Sequence, residues 1–254
     1  MDINAKRRLS TLLAILSIAA PASAAAQARR AQAWDTRTTE HFEIYHQPRT
    51  RGHVDAVARE AEAAYARISF DLRHELEARM PLILVGEDRD LPRNGEEART
   101  LVTASGAPPR DHLLLSAEMF ARHPESTLAH EVTHQFVFEL LPHADRDASW
   151  VSEALPDHRA GAWDPSEIAR VRHAALQGRV PSVADLKASE RHWGHAVLDY
   201  MAAEYGAQGI RRYLAALQKR EGARGDAIRT ALAVSVDEFD DAFRAYVRTR
   251  FAGR

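Results

Sequence analysis

Hydrophobic positions change their period several times along the chain, and each change predicts an element. Phe42 to Tyr45 alternates apolar and polar residues as a short strand. Val54, Val57, Ala58, Ala61, Tyr65, Ile68, Leu72 and Leu76 then recur at three- and four-residue spacing, the stripe of a long amphipathic helix. Pro81 to Val85 is a continuous apolar run and reads as a buried strand. The stretch to Pro109, with Gly95, Gly106 and prolines, reads as loop, and Asp111 to Ser116 as a further strand. Helical spacing returns at Leu128, Val132, Phe136 and Leu140. Ser126 serves as the expected cap, Glu125 lies near the positive end, and Pro142 is the stop.

Beyond Pro142 the pattern is helical. A new segment opens at Trp150. With Ser152 as its N-cap, Pro156 falls in or near the first turn, where a missing N–H costs little. Gly178 and Pro181 mark a boundary, and Trp193 to Tyr205 carries an apolar stripe that Gly206 is expected to end. Ser235-Val-Asp-Glu238 is a capping box opening a last helix that buries Phe239, Phe243, Tyr246 and Val247, an aromatic stripe read as core. The order of elements predicts an α+β chain. An N-terminal α/β lobe over 34–141 holds a small sheet and ends in the helix at Leu128, and a C-terminal helical lobe covers 142–254.

Composition and the N-terminus narrow the setting. Lys6, Arg7 and Arg8 precede an apolar stretch from Leu9 to Ala20, followed by small residues around Ala24. This is the pattern of a secretory signal peptide over residues 1–24, with cleavage possible up to 28. Its apolar core is shorter than a membrane span of roughly twenty residues, so no stable anchor is expected after processing. The chain has no cysteine, which removes disulfides, thiolate ligands and a lipid-modified cysteine from consideration and points to a periplasmic or secreted bacterial envelope protein. A net charge of −2 with mixed signs argues against nucleic acid or an anionic membrane as partner.

The chemistry concentrates in His130-Glu131-Val132-Thr133-His134. Residues four apart lie nearly above one another on a helix, so both imidazoles can grip one zinc ion. Glu131 sits round the helix from them, where it can take a proton from water as a general base. Trp150-Val-Ser-Glu153 can return through a short loop containing Pro142, Asp145 and Asp147, and present Glu153 as a third ligand. Asp157, one turn further on, is placed to accept the second ring N–H of a ligating histidine. The bland alternative is two solvated histidines on a helix beside an unrelated acidic helix.

At these residues the chain resembles the gluzincins, zinc metallopeptidases of the peptidase MA-like group. Thr127-Leu-Ala-His-Glu-Val-Thr-His134 looks like their active-site helix, and Trp150-Val-Ser-Glu-Ala-Leu-Pro-Asp157 like their segment bearing the glutamate ligand. Glu40 to Tyr45 and Tyr205-Gly206 extend a weaker likeness over most of the mature chain. Ala154, Pro156 and His158 stand where the family has Gly, Ala and often an aromatic residue. The resemblance implies a zincin-like fold and zinc on His130, His134 and Glu153. It implies Glu131 as the base that activates water and Asp157 as an orienting group. It also places the helix with His192, His195, Tyr200 and Tyr205 along the cleft, with His195 singled out as donor to the oxyanion. A strand in the position of Asp111–Ser116 borders the cleft in such enzymes and can pair with extended substrate; an ordinary core strand at Leu113–Leu115 fits equally well.

The expected function is zinc-dependent hydrolysis of peptide bonds in a peptide or protein substrate. Two alternatives use the same residues: an amidase acting on cell-wall peptides, and a non-catalytic zinc-binding scaffold of the envelope.

Overall fold

The computed structural model describes residues 33–107, 112–142, 149–161, 163–219 and 224–253. The expected leader lies outside these residues, as do Asp111, Asp145 and Asp147. Trp34–Arg254 forms one compact α+β unit, mostly helical with a small four-stranded sheet.

The sheet runs β1 (Asp35–Thr38), β2 (Phe42–His46), β3 (Met80–Val85), β4 (Leu113–Ser116), in that spatial order. β1 is antiparallel to β2, while β2, β3 and β4 are parallel, with Phe42 opposite Met80 and Leu82 opposite Leu113. All six residues of β3 are buried. A parallel strand covered on both faces needs this unbroken apolar run. One face of the sheet (Phe42, Ile44, Leu82, Leu84, Leu113, Leu115) joins the main core with the helices α1 (Arg51–Leu72) and α4 (Pro124–Leu140). The other face, through Ile83 and Val85, packs on Val102 and Ala107 and is flanked by Trp34, Tyr45, Leu91, Leu101 and Leu114.

Several elements differ from the sequence expectation. Within the stretch read as loop lies a helix, α2 (Gly95–Ser105); Asn94 caps it by accepting from the N–H groups of Glu96 and Glu97, and Gly106 closes it at φ 75°. A short helix, α3 (Ala117–Arg122), intervenes before α4. α1 ends at Leu72 rather than Leu76, with Arg73 in the left-handed conformation at φ 56°, and Leu76 packs on the core from beyond the helix. α4 starts at Pro124, not after Ser126. Proline has its φ preset for the first helical position and no N–H to lose there, so it begins the helix three residues earlier.

The helical part comprises α5 (Val151–Ala160), α6 (Pro165–Leu176), α7 (Arg191–Gln218), α8 (Arg224–Leu232) and α9 (Val236–Val247). α5 begins two residues earlier than a Ser152 cap would allow: Trp150 is the N-cap, and Ser152 Oγ donates instead to the Ser149 carbonyl at 2.7 Å. Pro156 is therefore inside the helix. Burial of Val151, Ala154 and Leu155 outweighs the cost of about 3 kcal/mol that an interior proline carries. Gly206 breaks the helical backbone, at φ 64° and ψ −176°, but α7 resumes beyond it. The capping box at Ser235 and Glu238 opens α9, which buries Phe239, Phe243 and Val247. No described helix is long and apolar enough to cross a membrane.

α4 packs against α5, and α5 against α7. Gly194 lets α5 and α7 approach closely: a Cβ there would stand 2.6 Å from Ala154 Cβ and 2.6 Å from Trp150 Cε3.

Candidate metal centre

α4 buries Leu128, Ala129, Val132, Phe136 and Val137, which fixes its rotation and turns His130 and His134 to a partly exposed side. The two Nε2 atoms converge to 3.2 Å, with ring planes at 80°. Glu153, in the first turn of α5, completes a trio whose ligand atoms all lie within 4.8 Å of one another. Two donors bound to one tetrahedral ion at about 2.1 Å stand roughly 3.4 Å apart. The histidine pair is close to that separation.

Behind the trio stands a buried carboxylate. Asp157 Oδ1 lies 3.2 Å from His130 Nδ1, leaving Nε2 of the same ring toward the trio. Asp157 also accepts from Arg191, from Nε at 2.8 Å and from Nη2. Burial raises the Asp157 pKa, but the hydrogen bonds from His130 and Arg191 and the Arg191 charge overcome it, and the group is held below its ordinary value. The same bond to Asp157 raises the Arg191 pKa. Arg191 Nη1 is 3.8 Å from Glu153 Oε2, so one guanidinium spans the candidate third ligand and the carboxylate beside His130.

The protonation states suit metal binding. Burial, with repulsion from His130 second, pushes His134 down to about 4, leaving the ring neutral at pH 7 as a ligand must be. Burial is also the main cause that raises the Glu131 carboxyl, with repulsion from Glu153 adding to it against the pull of His130. A carboxylate moved up in this way is a better proton acceptor at neutral pH. Phe138 is exposed and stacks on the His134 ring at 6.0 Å between centroids.

The residues expected on α7 are not brought to this trio. His195 is only 2 % exposed and stacks on Trp163 at 4.1 Å, in a separate group with His158 and Asp199. Tyr200 is buried among Phe239, Phe243 and Tyr246, and burial raises its phenol pKa. Tyr205 meets Tyr200 edge-on, and the His192 ring tilts against Trp193. The residue that sequence reasoning missed is Arg191. It sits at the first position of α7, and its tie to Asp157 spans 34 residues. No local spacing signals such a pair, and arginines on helices ordinarily read as solvated.

Comparison with protein-family models, curated proteins and solved structures finds no match to the chain.

Proposed function

We propose that the chain is a zinc-dependent metallopeptidase of gluzincin type, with a zincin-like fold, that works outside the cytoplasm after removal of its leader. The observation that carries this reading is the convergence of His130, His134 and Glu153 from two helices, with Glu131 on the same helix as the histidines. A structural zinc site has no use for a carboxylate beside the ligands whose pKa is raised. Zinc in this trio would lower the pKa of a water from roughly 16 to about 7 and polarise a substrate carbonyl.

The chain's own residues supply the rest. Glu131 takes the proton of the attacking water and returns it to the leaving amide nitrogen. Asp157 fixes the His130 tautomer, and Arg191 fixes Asp157. Arg191, partly exposed and beside Glu153, takes over from the buried His195 the task of meeting a substrate carbonyl as it gains negative charge. The substrate on this reading is an extended peptide or protein.

The test is hydrolysis of an unstructured protein or a quenched fluorescent peptide library by the zinc-loaded chain, beside Glu131→Gln. The expected result is retained zinc with activity lower by about 10²–10⁴-fold, the range for loss of a general base. Activity equal to wild type in that variant would sink the mechanism. Zinc binding with no hydrolysis by either chain would favour the scaffold alternative.

A further inference from the structure

His158, one residue beyond Asp157 on α5, meets His195 and Asp199 of α7, and their ligand atoms lie within 4.8 Å of one another. His158 Nδ1 is 2.9 Å from Asp199 Oδ1, and His195 Nε2 is 3.6 Å from the same oxygen. These separations bracket the roughly 3.4 Å expected between two donors on one tetrahedral ion. The shorter is also a hydrogen bond; the longer is not. Ordinary pairing thus accounts for His158 but not for the His195 Nε2, which a ring only 2 % exposed turns toward Asp199.

The surroundings resemble the outer shell of a metal site. Trp163 lies flat on the His195 ring, 4.1 Å between centroids and 11° between planes, and its Nε1 donates to Asp199 Oδ2 at 2.9 Å. One indole therefore orients a ring and a carboxylate, leaving Asp199 Oδ1 toward the histidines. Burial pushes His195 down to about 4, so it is neutral as a ligand must be.

We propose that His158, His195 and Asp199 form a second divalent-metal site, separate from that of His130, His134 and Glu153. Two imidazoles and one carboxylate are a donor set that zinc takes, as does ferrous iron. His158 then carries its proton on Nε2 and turns the Nδ1 lone pair to the ion. The three side chains are 14 %, 2 % and 19 % exposed, which leaves little room for substrate. The role is structural: the ion ties α5 to α7, the helices that carry Glu153, Asp157 and Arg191. This site does not depend on the peptidase reading.

The test is zinc content after loading and gel filtration of the mature chain, Glu153→Ala, Asp199→Asn and the double variant. The expected values are two, one, one and none per chain. In Glu153→Ala, added zinc should still raise Tm, and in the double variant it should not. One zinc in wild type that Glu153→Ala abolishes overturns the second site and leaves the first intact. One zinc that Asp199→Asn abolishes and Glu153→Ala keeps supports the second site and overturns the first. If Asp199→Asn does not fold by circular dichroism, His158→Gln replaces it with the same expectation.

Discussion

A single methyl group added at Gly194 should disturb the candidate metal centre more than it disturbs the fold. In Gly194→Ala the new carbon meets Ala154 Cβ and Trp150 Cε3 at 2.6 Å, about 1 Å inside ordinary carbon contact. Neither neighbour can give way, since Ala154 and Trp150 are both fully buried and the Ala154 Cβ is fixed to the backbone of α5. The helices must part, and the residue beside Ala154 is Glu153. Replacing a helical glycine by alanine gains about 1 kcal/mol, and overpacking costs about 1–3 kcal/mol. The net is a loss of about 1 kcal/mol, a fall of roughly 2–4 °C in Tm for a domain of this size. Displacing a ligand by a large fraction of an ångström acts more strongly: zinc affinity should fall about tenfold and turnover about a hundredfold. Gly52→Ala is the control, because nothing lies within 4 Å of a Cβ built there in α1, and it should gain up to about 1 kcal/mol. Urea unfolding of the metal-free chains, zinc titration against a competing chelator and peptide turnover read the three effects. If Gly194→Ala gained stability as Gly52→Ala does and bound zinc like wild type, the close approach of α5 and α7 would not set the ligand geometry.

Further expectations concern the carboxylate behind the trio, the proline in α5 and acid. Asp157→Asn should weaken zinc binding by about 10–100-fold while Arg191 stays in place, as measured by chelator competition; unchanged affinity would remove Asp157 from the site. Pro156→Ala restores an N–H for the Ser152 carbonyl. Against about 3 kcal/mol for an interior proline stand roughly 1.6 kcal/mol of lost methylene burial and the freer unfolded chain, so a gain of about 1 kcal/mol is expected in urea unfolding. A loss of stability would mean that the ring's packing outweighs the backbone cost. In the metal-free chain, burial holds His134 and His195 near 4, below the 6.5 of an exposed imidazole. The unfolded chain takes those protons first, so the histidines' contribution is full above about pH 6.5 and is lost as pH drops toward 4, below which the depressed carboxyls of Asp157 and Asp199 continue the fall. His195 alone contributes about 3 kcal/mol over that window. The urea midpoint should follow that course and lose much of its slope in His195→Phe; a flat profile in wild type would contradict it.

What the sequence reveals about the site is what local spacing can specify. His130 and His134 stand one turn apart on α4, Glu153 and Asp157 one turn apart on α5, and each pair is set by helix periodicity before any tertiary contact forms. Arg191 reaches Asp157 from another helix, which no periodicity encodes. His195 misleads for a related reason: from Trp193 to Leu198 every residue of α7 is buried, so the pattern does not say which side faces the cleft. The missed elements fail in the same way. β1 is exposed at all four positions and declares itself only by pairing with β2. α2 buries only Val102 and Ser105, too narrow a stripe to show a helical period, although Asn94 and Gly106 mark its ends. Gly194 joins the local and long-range levels. Spacing decides which groups share a helix face, but the seating of α5, which carries Glu153, rests on its close approach to α7, and a residue without a side chain permits that approach. A motif with both helices intact and a larger residue at that contact would keep every candidate ligand and seat α5 differently.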